Sequence, residues 1–348
     1  MAASPTLRDV ATHVGMGKST VQRVLAGIGS VSPRARKRIT KAAASLGYVP
    51  NPLFSILSSQ KRRQSRKSMK IAYIYRKAYR TGVSYFPWAM VRGKMLGYQV
   101  EQVDLDELGA ENRLMDVLYH RGFNGAIVGS LPATDHTAIL CNTHFPLVRC
   151  GRIAPLPIHT IQGDVMGMTR LAWQSIIEAG YRRIGAAVGT HVPVLADDLD
   201  RLSAVLQCQS EIFPLKDRIP PLRAPLNDRA AVVKWFRRYK PDAVLGFGNG
   251  EYHYIKESGV DMSKVGYVSL HASPSSGEIS GIAEPIDSIS REAVNLLDQL
   301  IRHRSIGIPD EPLQILVPGV WNDGETLPLK SSFTTHPCGR GRRVNRRR

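Results

Sequence analysis

Cysteine is scarce: Cys141, Cys150, Cys208 and Cys338 are the only four in 348 residues, with no C-x-x-C pair and no His/Cys cluster among them. That argues against a metal site or a disulfide framework and fits a reducing compartment. Long apolar runs are missing too. No stretch approaches the ~20 apolar residues that span a bilayer, and the N-terminus has no apolar export core. A cytoplasmic protein without a membrane partner is therefore expected. Neither G-x-S-x-G nor H-E-x-x-H occurs, and the ten histidines are scattered, so no catalytic residue, metal or cofactor is expected and the chain is not read as an enzyme. His191, His253 and His271 read as surface or pocket histidines rather than bases. A phosphate-cradling loop is lacking as well. Gly246, Gly248 and Gly250 are spaced i, i+2, i+4, whereas G-x-G-x-x-G needs its third glycine at i+5. A tight structural loop is the better reading.

Acid is scarce at both ends. Residues 1–69 hold 13 Lys/Arg against the single acid Asp9, a net of +12, and residues 330–348 hold seven Lys/Arg and no acid. The body between them nets −1, so the overall +18 is confined to the termini. This asymmetry suits a small polyanion-binding module attached to a near-neutral body. The hydrophobic content of 43% is ordinary for a globular chain that buries a large core, and the length suggests two or three domains.

The basic N-terminal part carries helical punctuation. Leu7, Val10, Ala11 and Val14 make one apolar face, and Gly15 allows the sharp turn of a helix-turn-helix unit. In the next helix Val21, Val24 and Leu25 point one way. Lys18, Ser19, Gln22 and Arg23, at i, i+1, i+4 and i+5, lie on another face. A short helix buried on one side and polar and cationic on the other has the donors to read base edges in a major groove. Ser32 and Pro33 open a third helix with a good N-cap and first-turn residue, Ile39, Ala42, Ala43 and Leu46 face its core, and Gly47 stops it. Arg34, Arg36, Lys37, Arg38 and Lys41 crowd its remaining surface.

These residues fall in the register of a known pattern. T-[IL]-x-[DE]-V-A-x-x-A-G-V-S-x-x-T-V-S-R-V-L is matched by Thr6, Leu7, Asp9, Val10, Ala11, Gly15, Thr20, Val21, Arg23, Val24 and Leu25. Val31, Ser32 and Arg36 follow V-S-x-x-x-R, with the arginine one residue early, and Leu46, Gly47, Tyr48, Pro50 and Asn51 follow L-G-Y-x-P-N. The stretch resembles the DNA-binding headpiece of the lactose-repressor (LacI/GalR) family. The resemblance implies DNA contacts from Thr6, Gly17, Lys18, Ser19, Thr20, Gln22, Arg23, Ser32 and Asn51. It also implies a hinge helix after Asn51 that inserts Leu57 into the minor groove and kinks the duplex. Val14 replaces the usual alanine, Gly17 a capping serine, Gln22 a serine on the groove side, and Phe54-Ser55 an Ala-Arg pair.

From residue 69 strands and helices alternate: strand 70–75, helix 88–96, strand 100–103, helix 110–120, strand 125–129, helix 134–141 and strand 146–150. A second series has helix 166–179, strand 183–188, helix 197–209, a strand-like 212–215, helix 229–239, strand 243–246, helix 251–258, strand 265–269, helix 288–304 and strand 313–317. Such βαβα order argues for parallel sheets covered by helices. The expected fold is a small all-α helix-turn-helix headpiece (5–49), a hinge and linker (50–69), an α/β periplasmic-binding-protein-like core of two doubly wound subdomains (70–329), and a basic disordered tail (330–348). The resemblance extends here through Asp164-x-x-Gly167, Gly180-Tyr181-Arg182-Arg183-Ile184-Gly185, Pro241-Asp242-Ala243-Val244 and Gly266-Tyr267-Val268. It implies crossovers that return about 284–312 to the first half and 313–326 to the second.

In such folds ligands bind at the carboxyl ends of the strands. Arg201, opening Arg201-Leu-Ser-Ala204, resembles the family's ligand-holding R-x-x-G. Asn249 stands near its ligand-binding aspartate, His271 follows a strand of the second half, and Tyr75 ends the first strand. For each, a structural polar role is the competing reading. The chain is expected to be a sequence-specific regulator, as a repressor, with operator DNA, a small-molecule effector (a sugar by default) and a second copy of itself as partners. A solute-binding module or a ligand-independent DNA-binding regulator is the alternative.

Overall fold

A computed structural model of the chain describes residues 6–25, 31–46, 69–77, 85–108, 113–129, 131, 139, 144–151, 156–273 and 277–330, the side chains of Gln22 and Arg23 excepted. The expected hinge and linker up to residue 68, most of the expected helix 134–141 and the tail from 331 lie outside the described residues.

Three helices come first: α1 (Leu7–Val14), α2 (Lys18–Leu25) and α3 (Pro33–Ser45). Thr6 and Asp9 close a capping box on α1, the Thr6 N–H donating to Asp9 Oδ2 at 2.7 Å and the Asp9 N–H to Thr6 Oγ1 at 3.4 Å. Two of the donors a helix start leaves open are thus satisfied. The same Thr6 hydrogen bonds hold the Asp9 carboxyl below its ordinary pKa. Gly15 ends α1 at φ 61°, ψ 36°, left-handed backbone that a residue lacking Cβ adopts freely. Ser32 Oγ accepts the Ala35 N–H at 3.3 Å, and Pro33 occupies the first turn of α3. One apolar stripe per helix then closes a core of Val10, Ala11, Val14, Val21, Val24, Ile39, Ala42 and Ala43. Val14 is accommodated in that core, and its carbonyl accepts from Arg38 Nη2 at 2.5 Å.

The whole chain divides between two compact units, Met1–Gly163 with Pro285–Val317 and Asp164–Glu284 with Pro318–Arg348, the headpiece counted in the first. The first contains β1 (Met69–Tyr75), α4 (Phe86–Met95), β2 (Tyr98–Asp104), α5 (Leu105–Leu108), α6 (Leu114–His120), β3 (Phe123–Val128), β4 (Leu147–Cys150) and β5 (His159–Gly163). The second takes α7 (Val165–Glu178), β6 (Ile184–Ala187), α8 (Ala196–Ile212), α9 (Arg229–Tyr239), β7 (Ala243–Gly246), α10 (Gly250–Glu257), β8 (Gly266–Ser269) and β9 (Gly281–Ala283). The chain returns to the first unit for α11 (Ile286–His303) and β10 (Gln314–Val317), then adds β11 (Val320–Asn322) to the second.

The first sheet is six-stranded in the order β2-β1-β3-β4-β5-β10, parallel throughout. Alternation along β1 fills both faces: Ala72 and Ile74 pack with Leu114, Met115 and Leu118 of α6, while Ile71 and Tyr73 pack with Ile289, Ala293 and Leu297 of α11. That apolar stripe is why a helix so late in the chain belongs to the first unit. The second sheet runs β6-β7-β8-β9-β11, with only the β9–β11 pair antiparallel. Trp173 of α7 lies against one of its faces, and Trp235 and Phe236 of α9 against the other.

Two expectations are corrected. Residues 212–215 are no strand: α8 runs through Ile212, supported by the Gln207–Glu211 side-chain hydrogen bond at 2.9 Å. Pro214 then turns the chain into a 3-10 segment, Leu215–Asp217. The return to the second unit also comes later than expected. β10 pairs with β5, Gln314 with Thr160 and Val317 with Gly163, because Leu313 is already fastened there: its N–H donates to His159 Nδ1 at 3.1 Å, and its carbonyl accepts the Thr160 N–H at 2.8 Å.

Candidate functional site

Two groups of side chains stand out. In the headpiece, burial of Val21 and Val24 turns the other side of α2 outward, so that Gly17, Lys18 and Ser19 are exposed and Thr20 is half-buried at its first turn. The helix begins on the Gly17 carbonyl, which accepts from the Thr20 and Val21 N–H groups at 2.9 and 3.2 Å. Without a side chain, Gly17 offers no side-chain cap to the start of α2. Gln22 and Arg23 lie within α2, one turn on from Lys18 and Ser19. Thr6 and Ser32 are exposed and serve as the caps of α1 and α3, while Asn51 and Leu57 fall outside the described residues. Arg34, Arg36, Lys37, Arg38 and Lys41 of α3 are all exposed, a surface that attracts a phosphate backbone without reading sequence.

The second group belongs to the second unit. Neighbouring parallel strands β6, β7 and β8 deliver His191, Phe247 and Asn249, and His271 to the segments just past their carboxyl ends. Arg201 comes from α8, 4% exposed, its guanidinium carbon 4.7 Å from the centre of the Phe247 ring. The His271 ring lies 4.6 Å from the same centre and the His191 ring 5.5 Å. One aromatic side chain thus gathers a guanidinium and two imidazoles. Asp198, with its side chain wholly buried, holds them in place: Oδ1 accepts from Arg201 Nη2 at 2.5 Å and meets His191 Nδ1 at 2.8 Å, and Oδ2 accepts the His191 and Leu195 N–H groups, each at 2.9 Å. Burial would raise the Asp198 pKa, but the bonds from Leu195 and His191 outweigh it and keep the group ionised, below its usual value. Burial pulls the Arg201 pKa down, opposed by Asp198, Asp197 and Asp200.

His271 is exposed by area yet closely surrounded, the combination a concave wall produces; that surrounding, then the charges of Arg201 and His191, lower its pKa to about 4. Two polar atoms here are buried without a hydrogen-bond partner, Arg201 Nε and Asn249 Oδ1. Such orphans are uncommon in finished interiors and mark places where a further molecule completes the bonding. The loop carrying Asn249 is pinned from below. The buried Tyr267 hydroxyl donates to the Gly248 carbonyl at 2.5 Å, and the Gly248 N–H donates to Glu251 Oε2 at 3.1 Å. A Cβ on Gly246 would fall 1.8 Å from the Tyr267 oxygen.

Of the anticipated residues, Arg201, Asn249 and His271 lie in this one cluster. Tyr75 is half-buried at the carboxyl end of β1 in the other unit, and burial raises its pKa, followed by Asp104 and Glu107. Asp198 and Phe247 were not anticipated. Asp198 could have been found as the acid one helical turn before Arg201, whereas nothing in the glycine-rich loop distinguishes Phe247.

A three-helix headpiece with an exposed polar recognition helix, joined to parallel α/β units, defines a helix-turn-helix transcriptional regulator. Residues 6–51 match the family model for bacterial regulatory proteins, lacI family. The HTH-type transcriptional regulator CelR of Thermobifida fusca is 27% identical over 354 aligned residues, covering 90% of this chain and 95% of that protein. Among solved structures, the CelR–cellobiose complex shares the fold at a TM-score of 0.56 and 22% identity, over 91% of this chain and 98% of that one. The lac repressor dimer bound to operator and the anti-inducer ONPF does so at 0.55 and 20% identity, over 94% and 100%. The N-terminal region of the chain, residues 6–51, is thus a lacI-family DNA-binding headpiece, and the chain as a whole is similar to HTH-type transcriptional regulators along most of its length. No helix among the described residues is long and apolar enough to cross a membrane.

Proposed function

We propose that this regulator acts as a repressor: a homodimer that reads a pseudo-palindromic operator through α2 and releases or gains it when a small molecule occupies the Arg201–Asn249–His271 cluster. Lys18, Ser19, Gln22 and Arg23 address base edges, Thr20 the adjoining backbone, and Gly17 brings the helix end close to phosphate. Thr6 and Ser32 orient helix N-termini toward phosphates, and Asn51 and Leu57 continue the contact into the hinge, Leu57 as a minor-groove wedge. The effector is sugar-related, since the similar regulator CelR forms a complex with cellobiose; Tyr75, at the carboxyl end of β1, is a separate candidate contact of the first unit. Coupling requires only that the effector bind two states of the core unequally.

The observation carrying this reading is the division of α2, with Val21 and Val24 in the core and Lys18 and Ser19 outside. Footprinting of the purified chain on genomic DNA tests it. A protected pseudo-palindrome should appear, with affinity falling linearly in log salt. Equal affinity for operator and random duplex would remove the specific reading and leave a nonspecific DNA binder.

A further inference from the structure

Resting on the reading of the Arg201 cluster as the effector site, we infer that the effector is a small hydroxylated anion, a carboxylate or phosphate on a polyol or sugar, rather than a neutral sugar. The groups gathered at the ends of β6, β7 and β8 are hydrogen-bond donors or cations: the Arg201 guanidinium with its unpartnered Nε, and the imidazoles of His191 and His271. The carboxylate in direct contact with them, Asp198, is wholly buried, and both of its oxygens are engaged by Arg201, His191 and the Leu195 N–H. It orients the donors and has little acceptor capacity left for a ligand. Past the end of β7, position 249 holds an asparagine, whose unpartnered Oδ1 suits one hydroxyl.

The charge felt at His271 agrees with that geometry. Beside burial, Arg201 and His191 both disfavour its protonation. A partly desolvated corner rich in donors, one of them an orphan of a guanidinium, favours an anion, because those donors lose water when a ligand binds and a neutral hydroxyl returns less than a charged oxygen. The platform is apolar: Phe247 presents a ring beside the Arg201 guanidinium and the two imidazoles, which suits the carbon skeleton of a small polyol.

The test uses the full chain with histidine ring signals followed by NMR, titrated separately with inorganic phosphate, gluconate, glucose 6-phosphate and, as the neutral comparison, cellobiose. At least one anion should shift the His191 and His271 signals saturably, and cellobiose should not. Stronger binding of gluconate assigns a carboxylate; stronger binding of glucose 6-phosphate assigns a phosphate. Asn249→Asp, which changes charge with almost no change of shape, should weaken the bound anion by about tenfold or more, with an unaltered melting temperature as evidence that the fold persists. Cellobiose moving the same rings with equal or higher affinity would overturn the anionic assignment and leave the effector site standing. Silence of both rings toward all four compounds would also overturn it. If operator affinity still responded to one of them, the placement of the effector site would fail as well.

Discussion

Asp198→Asn separates the two roles of the buried carboxylate, because it preserves shape and removes charge. The wild-type group receives donors on both oxygens, Arg201 and His191 Nδ1 on one, the His191 and Leu195 N–H groups on the other. Asparagine retains one oxygen, so in either orientation its NH2 group faces donors that formerly met an acceptor. Hydrogen bonds to a charged group are worth about 1.5–3 kcal/mol each, and removing one partner of a buried pair costs about 3–5 kcal/mol. The Asp198 side chain is 0% and the Arg201 side chain 5% exposed, so little solvent screening discounts that range. For a folded unit of 150–250 residues each kcal/mol moves the melting temperature by about 2–4 °C, so a drop of roughly 6–20 °C is expected in the transition of the second unit by calorimetry. The loss should depend on pH in a definite sense. Because the folded pKa lies below the unfolded one, the wild-type advantage is full above the unfolded value of about 3.9 and disappears as pH falls through the folded value, so the two melting curves converge only in strong acid. The companion Arg201→Met leaves a carboxylate that still has three donors. It should cost less, and the double variant should cost less than the sum of the two. A melting temperature for Asp198→Asn within about 2 °C of wild type at neutral pH would mean that the carboxylate does not hold the cluster together.

Three further outcomes follow from individual residues. Lys37→Ala should weaken binding to operator and random duplexes alike and reduce the slope of log K against log salt by about one unit; an unchanged slope would place Lys37 away from phosphate. Gly17→Ser should stabilise the headpiece by a few tenths of a kcal/mol, since a Cβ there meets nothing nearer than 3.9 Å and a hydroxyl can cap α2; thermal unfolding that is unchanged or earlier would contradict the cap argument. His271 has its folded pKa lowered to about 4, so the unfolded chain takes up the proton first as pH falls from about 6.5 and native stability is lost between those values. His271→Gln should flatten the dependence of melting temperature on pH across that window, and parallel curves for variant and wild type would exclude His271 as the cause.

The headpiece is readable in the linear chain because its signals are local: Gly15 for a left-handed turn, Ser32-Pro33 for a helix start, and one apolar stripe per helix. Most core strands declare themselves as short apolar runs. β5 does not, since Thr160 and Gln162 are buried within it and break the apolar pattern. β9 and β11 are three residues each and owe their existence to pairing partners. The error over 212–215 has a similar origin, because Ile212, Phe213 and Leu215 look like a strand until α8 is seen to extend as far as Pro214 requires. In the proposed effector cluster, Arg201 carries a motif, whereas Asp198 looks like one more surface acid in Asp197-Asp198-Leu199-Asp200. Only tertiary structure shows that Asp198 is buried and its neighbours are not.

The two proposed anion-binding surfaces differ in how salt reaches them. The headpiece residues Lys18, Arg34, Arg36, Lys37, Arg38 and Lys41 are exposed, and their attraction for phosphate is a sum of screened contacts that weakens steeply as salt rises. Arg201 is 4% exposed, and its charge is held by Asp198 and stacked on Phe247, so bulk ions screen it far less. An anion seated there resists salt that strips DNA from α2. Because an anionic effector is also drawn weakly to a headpiece region of net +12, salt separates the two: nonspecific uptake at the exposed cations vanishes with DNA binding, while occupancy of the buried arginine persists. The segregation of charge along the chain thus has a functional consequence. On the proposed reading, the near-neutral body lets one buried cation discriminate among small anions, and the basic N-terminal region leaves discrimination among duplexes to the few side chains of α2.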